Sequence, residues 1–461
     1  MVRNKVLLLL FFLFATAIIV SWQSELVNDF SNEQKWTLVL LALAIYLWTA
    51  APMPTGASSI LLLACILAFQ LVERPEEAFV GFLSPALYFI LMLSIVSQAL
   101  VKSGVDKVFV QILLKFSKGG AKGVLIGLPL LILFMPIILP SAVARFKIML
   151  PLVEKLNLHY EFGADSFFRK FSLYVIGMMN QKATMVVFTG GGFPILAAQL
   201  LKDYARVDLS WLAWFLRIAP PLWLSMIIIS VIVWFYFKNQ TDDMATATKI
   251  LSKEIDPDHV LPNKFWLTMI PFIFMILCWI TLSQDYVPLI LPPMILVAYF
   301  ALPKIGWVTN DLIREYDWEN FLLLGASFSL GMIIDSNGTA QVLSEQLLRL
   351  LPLGASDFTK IVFIAVFVFV LRFMFVVPST SMIVIFPVII NYAETLGLSV
   401  TALAFLVVMI IGGVMILPIH SPTTFYAFET GVFTKKEQYT IGIITSIVVI
   451  NVAIIWTYFI W

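Results

Sequence analysis

Hydroxyl and cationic side chains set inside apolar segments are the residues of this chain with the means to do chemistry. Leu139-Pro140-Ser141-Ala142-Val143-Ala144-Arg145 interrupts the apolar segment Gly123 to Leu152 with a proline, a hydroxyl and a guanidinium. Val377-Pro378-Ser379-Thr380-Ser381 interrupts the segment Ile361 to Tyr392 in the same manner. In lipid, a broken helix leaves backbone N–H groups at one new start and C=O groups at one new end. Each group without a partner costs several kcal/mol, so a break survives only where it is buried or lines a polar cavity. The N–H end suits an anion and the C=O end a cation. Ser141, Ser379, Thr380 and Ser381 are therefore candidate ligands of a substrate or of a coupling cation. The plainer alternative is that each Pro-Ser pair only kinks a span.

Intramembrane cations call for a partner. Arg145, beside free helix N–H groups, suits a carboxylate fork. Lys147 faces elsewhere and snorkels to the interface. Lys182, in Asn180-Gln181-Lys182, sits deeper; it either places an ammonium where a coupling cation would sit or pairs with a carboxylate elsewhere. Arg372 lies in the arm leading to the second break. Thr189-Gly190-Gly191-Gly192-Phe193-Pro194 and Leu417-Pro418-Ile419-His420-Ser421-Pro422-Thr423-Thr424 form a second pair of helix interruptions. They make Thr189, Gly190, Ser421, Pro422, Thr423 and Thr424 candidate substrate ligands. His420 either titrates there near neutral pH or caps a helix at the interface. Asp335 and Glu429 read as solvated span ends. No Ser/His/Asp, His-Glu-x-x-His or P-loop spacing occurs, so an enzyme has no support in the sequence. Cys65 and Cys278 lie in apolar spans without metal-ligand spacing and read as core residues.

The elements that must position these residues are membrane helices. Of 461 residues 61% are hydrophobic and 12% charged, and apolar runs of about 20 residues, the length that crosses a bilayer, recur throughout. The expectation is an all-α polytopic membrane protein with about 11 transmembrane helices plus two re-entrant hairpins in an inverted repeat. A formal net charge of +1 gives no bulk attraction to nucleic acid. The first apolar run, about 6–22, resembles a secretory signal, but its length and the lack of a small-residue cleavage site predict a retained span. Lys102, Lys107, Lys115, Lys118 and Lys122 form the strongest positive-inside signal. A segment from Gly123 that begins and ends inside must turn back, which predicts a hairpin at about 123–155 with its tip at Pro140-Ser141. The second hairpin falls at about 357–396.

The organisation expected is a first span and outer loop at 1–35, a first repeat at 36–237, a cytoplasmic linker at 238–264 and a second repeat at 265–461. Ser103-Gly104-Val105-Asp106-Lys107-Val108 with Leu113-Leu114-Lys115 matches Asn337-Gly338-Thr339-Ala340-Gln341-Val342 with Leu347-Leu348-Arg349 at constant offset. The charge pattern puts the two on opposite sides of the membrane, with the N-terminus cytoplasmic and the C-terminus outside. Gln341 to Leu351 has the pattern of a helix lying in the interface plane.

Two oppositely oriented hairpins with Ser-containing tips, each followed by a span ending in a Thr/Pro/Gly loop, resemble the divalent anion/sodium symporter family. In that family each tip carries Ser-Asn-Thr and each later loop a Thr-Pro-Pro-Asn-like run. Together these bind substrate carboxylates and sodium ions, in a homodimer whose transport domains move like an elevator. Here Ser141 keeps the tip serine, while Ala142 and Val143 stand in the Asn and Thr places; the second tip retains a hydroxyl at Ser379, and neither later loop keeps an asparagine. Pro140 to Arg145 is similar to the form seen in citrate, malate and oxoglutarate exchangers. The resemblance implies a plasma-membrane secondary transporter of small dianions, di- or tricarboxylates or sulfate. It would use sodium or protons as coupling ions and no other cofactor, by symport or by exchange. Ser141, Lys182, Ser379 and His420 are the candidates for coupling-ion contact or charge substitution. The alternative from another class is a relative that has lost transport and serves as a membrane sensor or scaffold.

Overall fold

The computed structural model describes residues 29–50, 52–117, 120–238, 264–282, 286–350, 354–373, 375 and 378–461. The first span expected near 6–22, the linker at 239–263, Lys118 and Val377 lie outside them. Every regular element among the described residues is helical. In chain order these are α1 (Asn32–Ala50), α2 (Thr55–Ala68), α3 (Pro85–Lys102), α4 (Val105–Ser117), α5 (Ala121–Ile138), α6 (Ala142–His159), α7 (Phe167–Tyr174), α8 (Asn180–Ala183), α9 (Gly192–Ala205) and α10 (Trp211–Lys238). They continue as α11 (Phe265–Thr281), α12 (Leu291–Phe300), α13 (Asn310–Arg314), α14 (Trp318–Ser336), α15 (Thr339–Leu348), α16 (Asp357–Arg372), α17 (Pro378–Leu396), α18 (Val400–Gly413), α19 (Pro422–Glu429) and α20 (Lys435–Phe459).

Among the described residues five helices, α3, α5, α10, α17 and α20, are long and apolar enough to cross a membrane, and the bent pair α14 and α15 makes a sixth candidate. Other apolar runs among the described residues do not reach that length as single helices, for a local reason. A run of apolar residues is not one helix when prolines, glycines and polar residues divide it. Apolar runs near 57–72, 265–283, 286–303 and 399–418 form the shorter apolar helices α2, α11, α12 and α18. The run at about 171–189 is divided into α7, a π-helical turn Val175–Met179, α8 and two short 3₁₀ turns.

Both expected hairpins have their two arms. The first is α5 and α6, which break at Leu139 to Ser141; the second is α16 and α17, which break after Arg372. Upstream of each hairpin the same order recurs: a long helix, a left-handed glycine and an amphipathic helix. Gly104, with φ +92°, joins α3 to α4, and Gly338, with φ +73°, joins α14 to α15. A side chain is strained in that conformation, which accounts for glycine at both places. The second junction bends by 71°. Asn337 holds it: its Nδ2 donates to Thr37 Oγ1 (2.7 Å) and its Oδ1 accepts from Thr339 Oγ1 (2.6 Å).

The chain forms two compact units that cut across the sequence halves. One comprises residues up to Leu87 with Asp317–Ala404; the other comprises Tyr88–Tyr316 with Phe405–Trp461. In the first unit the 3₁₀ helix Pro75–Leu83 lies against α14, where a Cβ on Gly81 would stand 2.2 Å from Gly325 O. Gly81 N donates to Ser329 Oγ at 3.0 Å across that contact. Ahead of it Arg74 hydrogen-bonds Glu77, which holds the Glu77 carboxyl below the usual carboxylate range. The second unit carries the first hairpin and both later loops.

Candidate functional site

The first tip is built from helix-breaking residues. Pro129 and Pro136 lie inside α5 and remove backbone donors, and Pro140 follows its end at Leu139. Ser141 then caps α6, its Oγ accepting from Ala144 N at 3.2 Å. Ser141 and Ala142 are half-buried.

Arg145, one turn into α6, is fully buried, with 0% of its surface exposed. Its guanidinium is spent on protein oxygens. Nε donates to Asn180 Oδ1 at 2.6 Å, Nη2 to Asn180 O at 3.3 Å, and Nη1 to Leu139 O and to Gly190 O at 3.4 Å. The side chain thus ties the tip, α8 and the Thr189 loop together. The carboxylate fork expected of Arg145 is turned instead onto neutral carbonyls. Asn180 completes the tie, its Nδ2 donating to Ala142 O at 2.9 Å.

The loops close because glycines let backbones approach. A Cβ on Gly190 would lie 2.3 Å from Thr184 O, and one on Gly177 would lie 2.6 Å from the Ala427 Cβ. Thr189 accepts from Trp211 Nε1 at 2.9 Å. Ser421 caps α19 by accepting from Thr424 N at 3.1 Å, and its Oγ lies 2.7 Å from Thr424 Oγ1. Thr423 Oγ1 donates to Gly177 O at 2.8 Å and lies 3.4 Å from Gln181 Oε1. The Thr423 hydroxyl therefore meets the π-helical turn and α8 within this unit, while Pro422 is exposed. His420 is buried, and its Nδ1 accepts from Ile416 N at 3.2 Å. That bond leaves the ring hydrogen on Nε2 in the neutral tautomer and is lost when the ring is charged.

Lys182 differs from all of these. It is 0% exposed, and its Nζ has no hydrogen-bond partner among the described residues. Burial alone does not deny a lysine a counter-charge here. Lys170 in α7 pairs with Glu437 Oε1 of α20 at 2.6 Å, both side chains being about a tenth exposed. Lys147 is exposed. In the other unit, Ser379 and Thr380 begin α17 and are buried, the Thr380 hydroxyl having no partner among the described residues. Arg372 is buried and donates through Nη1 to Phe375 O.

Ser141, Ala142, Arg145, Lys182, Thr189, Gly190, His420 and Ser421 to Thr424 are all placed in the second unit, and Ser379 and Thr380 in the first. Sequence reasoning missed Asn180 and Gln181. The available signal was two amides beside Lys182 in the largely apolar stretch Val175 to Val187, where a buried amide is costly unless it is bonded. Among the described residues no cluster of His, Cys, Asp or Glu could hold a metal ion, so a bound cation would rest on hydroxyl, amide and backbone oxygens.

Three comparisons bear on this arrangement. A "Membrane protein" of Cupriavidus necator is 21% identical over 442 residues, covering 89% of this chain and 84% of that protein. The "Sodium-dependent high-affinity dicarboxylate transporter 2" of Caenorhabditis elegans is 21% identical over 324 residues, and the match spans 60% of this chain and 58% of the relative. The crystal structure of the Alcanivorax borkumensis YdaH transporter shares the fold with a TM-score of 0.57 at 13% identity, over 92% of this chain and 97% of that one. Matched from residue 3 to residue 461 by the family model of the sodium:sulfate symporter transmembrane region, the chain is an integral membrane transport protein of the divalent anion/sodium symporter family.

Proposed function

We propose that this protein is a secondary transporter of small dianions, di- or tricarboxylates or sulfate, that works by exchange with fixed positive charge in place of bound sodium. The observation that carries the reading is the charge of the second unit's core. Arg145 and Lys182 are both fully buried, and among the described residues neither is paired with a carboxylate. A buried ion without a counter-charge costs several kcal/mol, and a bound dianion would offset that cost. The same charge disfavours a sodium ion nearby. The half-buried Ser141 and Gln181 give the anion hydrogen-bonding partners at the accessible edge of this core.

The C. elegans relative is named for sodium-dependent dicarboxylate transport, so dicarboxylates are the first substrates to test. The loss of asparagine from both tips and both later loops argues against sodium dependence in this chain. An elevator-like movement, a homodimer, a plasma-membrane location, a cytoplasmic N-terminus and an outer C-terminus belong to the same proposal, on family resemblance and charge pattern.

The test is counterflow in vesicles loaded with unlabelled substrate, with succinate, malate, citrate and sulfate supplied outside as labelled anions. It is run with and without sodium. Exchange at equal rates in both conditions is expected. Strict sodium dependence would overturn the charge substitution, and binding without any turnover would favour a sensor. Lys182→Met separates fold from function: an apolar side chain in place of a buried amine without a partner keeps the melting temperature at or above that of the unsubstituted protein, while counterflow is lost.

A further inference from the structure

The amphipathic helix α4 is the one place where the two matching segments differ most in charge. From Lys102 to Lys122 the chain has five lysines and one aspartate, whereas Asn337 to Leu353 has one arginine and one glutamate. That arginine, Arg349, is itself paired, to Asp29 at 2.8 Å. Among the described residues no ion pair engages Lys102, Lys107, Lys115 or Lys122. Lys102, Lys115 and Lys122 are exposed and Lys107 is half-buried. Beside them two large apolar side chains stand in the open, Ile112 at 49% and Phe116 at 61% exposure. The opposite face is closed: Val105, Phe109, Leu113 and Leu114 are buried.

A helix with apolar side chains exposed beside a row of ammonium groups has the chemistry of a membrane-surface helix. The apolar groups enter the acyl boundary and the lysines reach the headgroups. The charge selects among headgroups, because anionic phospholipids attract juxtamembrane lysines and zwitterionic ones do not. Support from below makes the surface consequential. Gly123 and Gly127 of α5 let α4 lie directly on the first hairpin arm: a Cβ on Gly127 would stand 2.9 Å from Phe116 Cδ1, and one on Gly123 would stand 2.5 Å from Ser117 O. Whatever holds α4 in place therefore also braces the arm that leads to Ser141.

We propose that α4, with the adjoining ends of α3 and α5, is a docking surface for anionic phospholipid headgroups, held by Lys102, Lys107, Lys115 and Lys122 with Ile112 and Phe116 in the acyl layer, and that this lipid contact steadies the first hairpin. The inference does not depend on the transported substrate or its coupling.

The test uses the full-length protein in mild detergent, titrated with phosphatidylglycerol, with phosphatidylcholine or with inorganic phosphate, and reads melting temperature and retained lipid by native mass spectrometry. Phosphatidylglycerol is expected to raise the melting temperature and to be retained, the other two are not, and the shift shrinks as salt is added. Replacing all four lysines by glutamine weakens phosphatidylglycerol binding by more than about tenfold, while Arg349→Gln leaves it unchanged. Should the fourfold variant fail to fold, Lys115→Gln alone must still reduce the shift. Equal shifts with phosphatidylcholine or phosphate, or a phosphatidylglycerol shift indifferent to both salt and Lys115→Gln, overturn the proposal. A change of oligomeric mass on Phe116→Ser without lipid dependence would assign the face to a second copy, and the proposal falls.

Discussion

The two hairpin tips share a plan and differ in how their polar groups are used. In the first, Ser141 caps its helix and Arg145 reaches four acceptor sites on three segments. The second has a guanidinium too, and Arg372 likewise donates to a carbonyl of its own break. There the Ser381 hydroxyl turns back to Pro378 O at 2.8 Å, and Thr380, 2% exposed, has a hydroxyl without a hydrogen-bond partner among the described residues. A buried arginine at a break is thus first a device for binding stranded carbonyls. Hydrogen bonds to a charged group contribute about 1.5–3 kcal/mol each, which helps to offset the burial of the guanidinium. The first tip is a stitched joint, and the second holds a hydroxyl in reserve.

Substitutions can break this contrast. The largest effect belongs to Arg145→Gln, which strands the carbonyls of Leu139, Gly190 and Asn180. A loss of 3 kcal/mol or more, on the order expected for a buried polar network, should appear as a clear drop in thermal stability in detergent. If Arg145→Gln melts like the unsubstituted protein, the stitched joint is not what holds the first tip.

Asn180→Ala comes next, with a loss of about 2 kcal/mol, since two bonds go and Arg145 Nε is orphaned. Asn180→Asp sharpens the point. It supplies Arg145 with a carboxylate but gives up the Nδ2 bond to Ala142 O, so melting should fall less than for Asn180→Ala while dianion counterflow falls, because the positive core is then neutralised. Retained counterflow would show that the charge there is structural only. Ser141→Ala removes one cap and should cost about 1 kcal/mol, read from the same melts. Smallest of all is Thr380→Val, which replaces an unpartnered hydroxyl by a methyl and should change stability by less than about 0.5 kcal/mol. Its measurement is the ratio of counterflow to stability: a large loss of transport at constant melting temperature would mark Thr380 as a ligand, and no change in either would make it filler.

Much of this was legible in the sequence, for a local reason. Proline, glycine and capping serine act on their own turn of backbone, so the breaks at Pro140-Ser141 and Pro378-Ser379 could be placed without knowing any neighbour. Gly104 and Gly338 share the same left-handed conformation because it is a property of one residue. The apolar runs determined an all-α membrane protein, since only closed hydrogen-bonding elements persist in lipid. How those runs divide into helices was less visible, as in the apolar run that becomes α7, a π-helical turn and α8.

What the tertiary structure alone decided is which cations are already engaged. Arg145 and Lys182 look alike in sequence, each a charge in an apolar stretch. Arg145 finds Asn180, 35 residues away, and Gly190, 45 residues away, whereas Lys182 finds no partner among the described residues. Backbone carbonyls carry no residue signature, so an acceptor made of them cannot be read from a sequence. Only the folded chain, by bringing stranded carbonyls to one guanidinium and none to the ammonium two residues beyond Asn180, separates the structural charge from the available one.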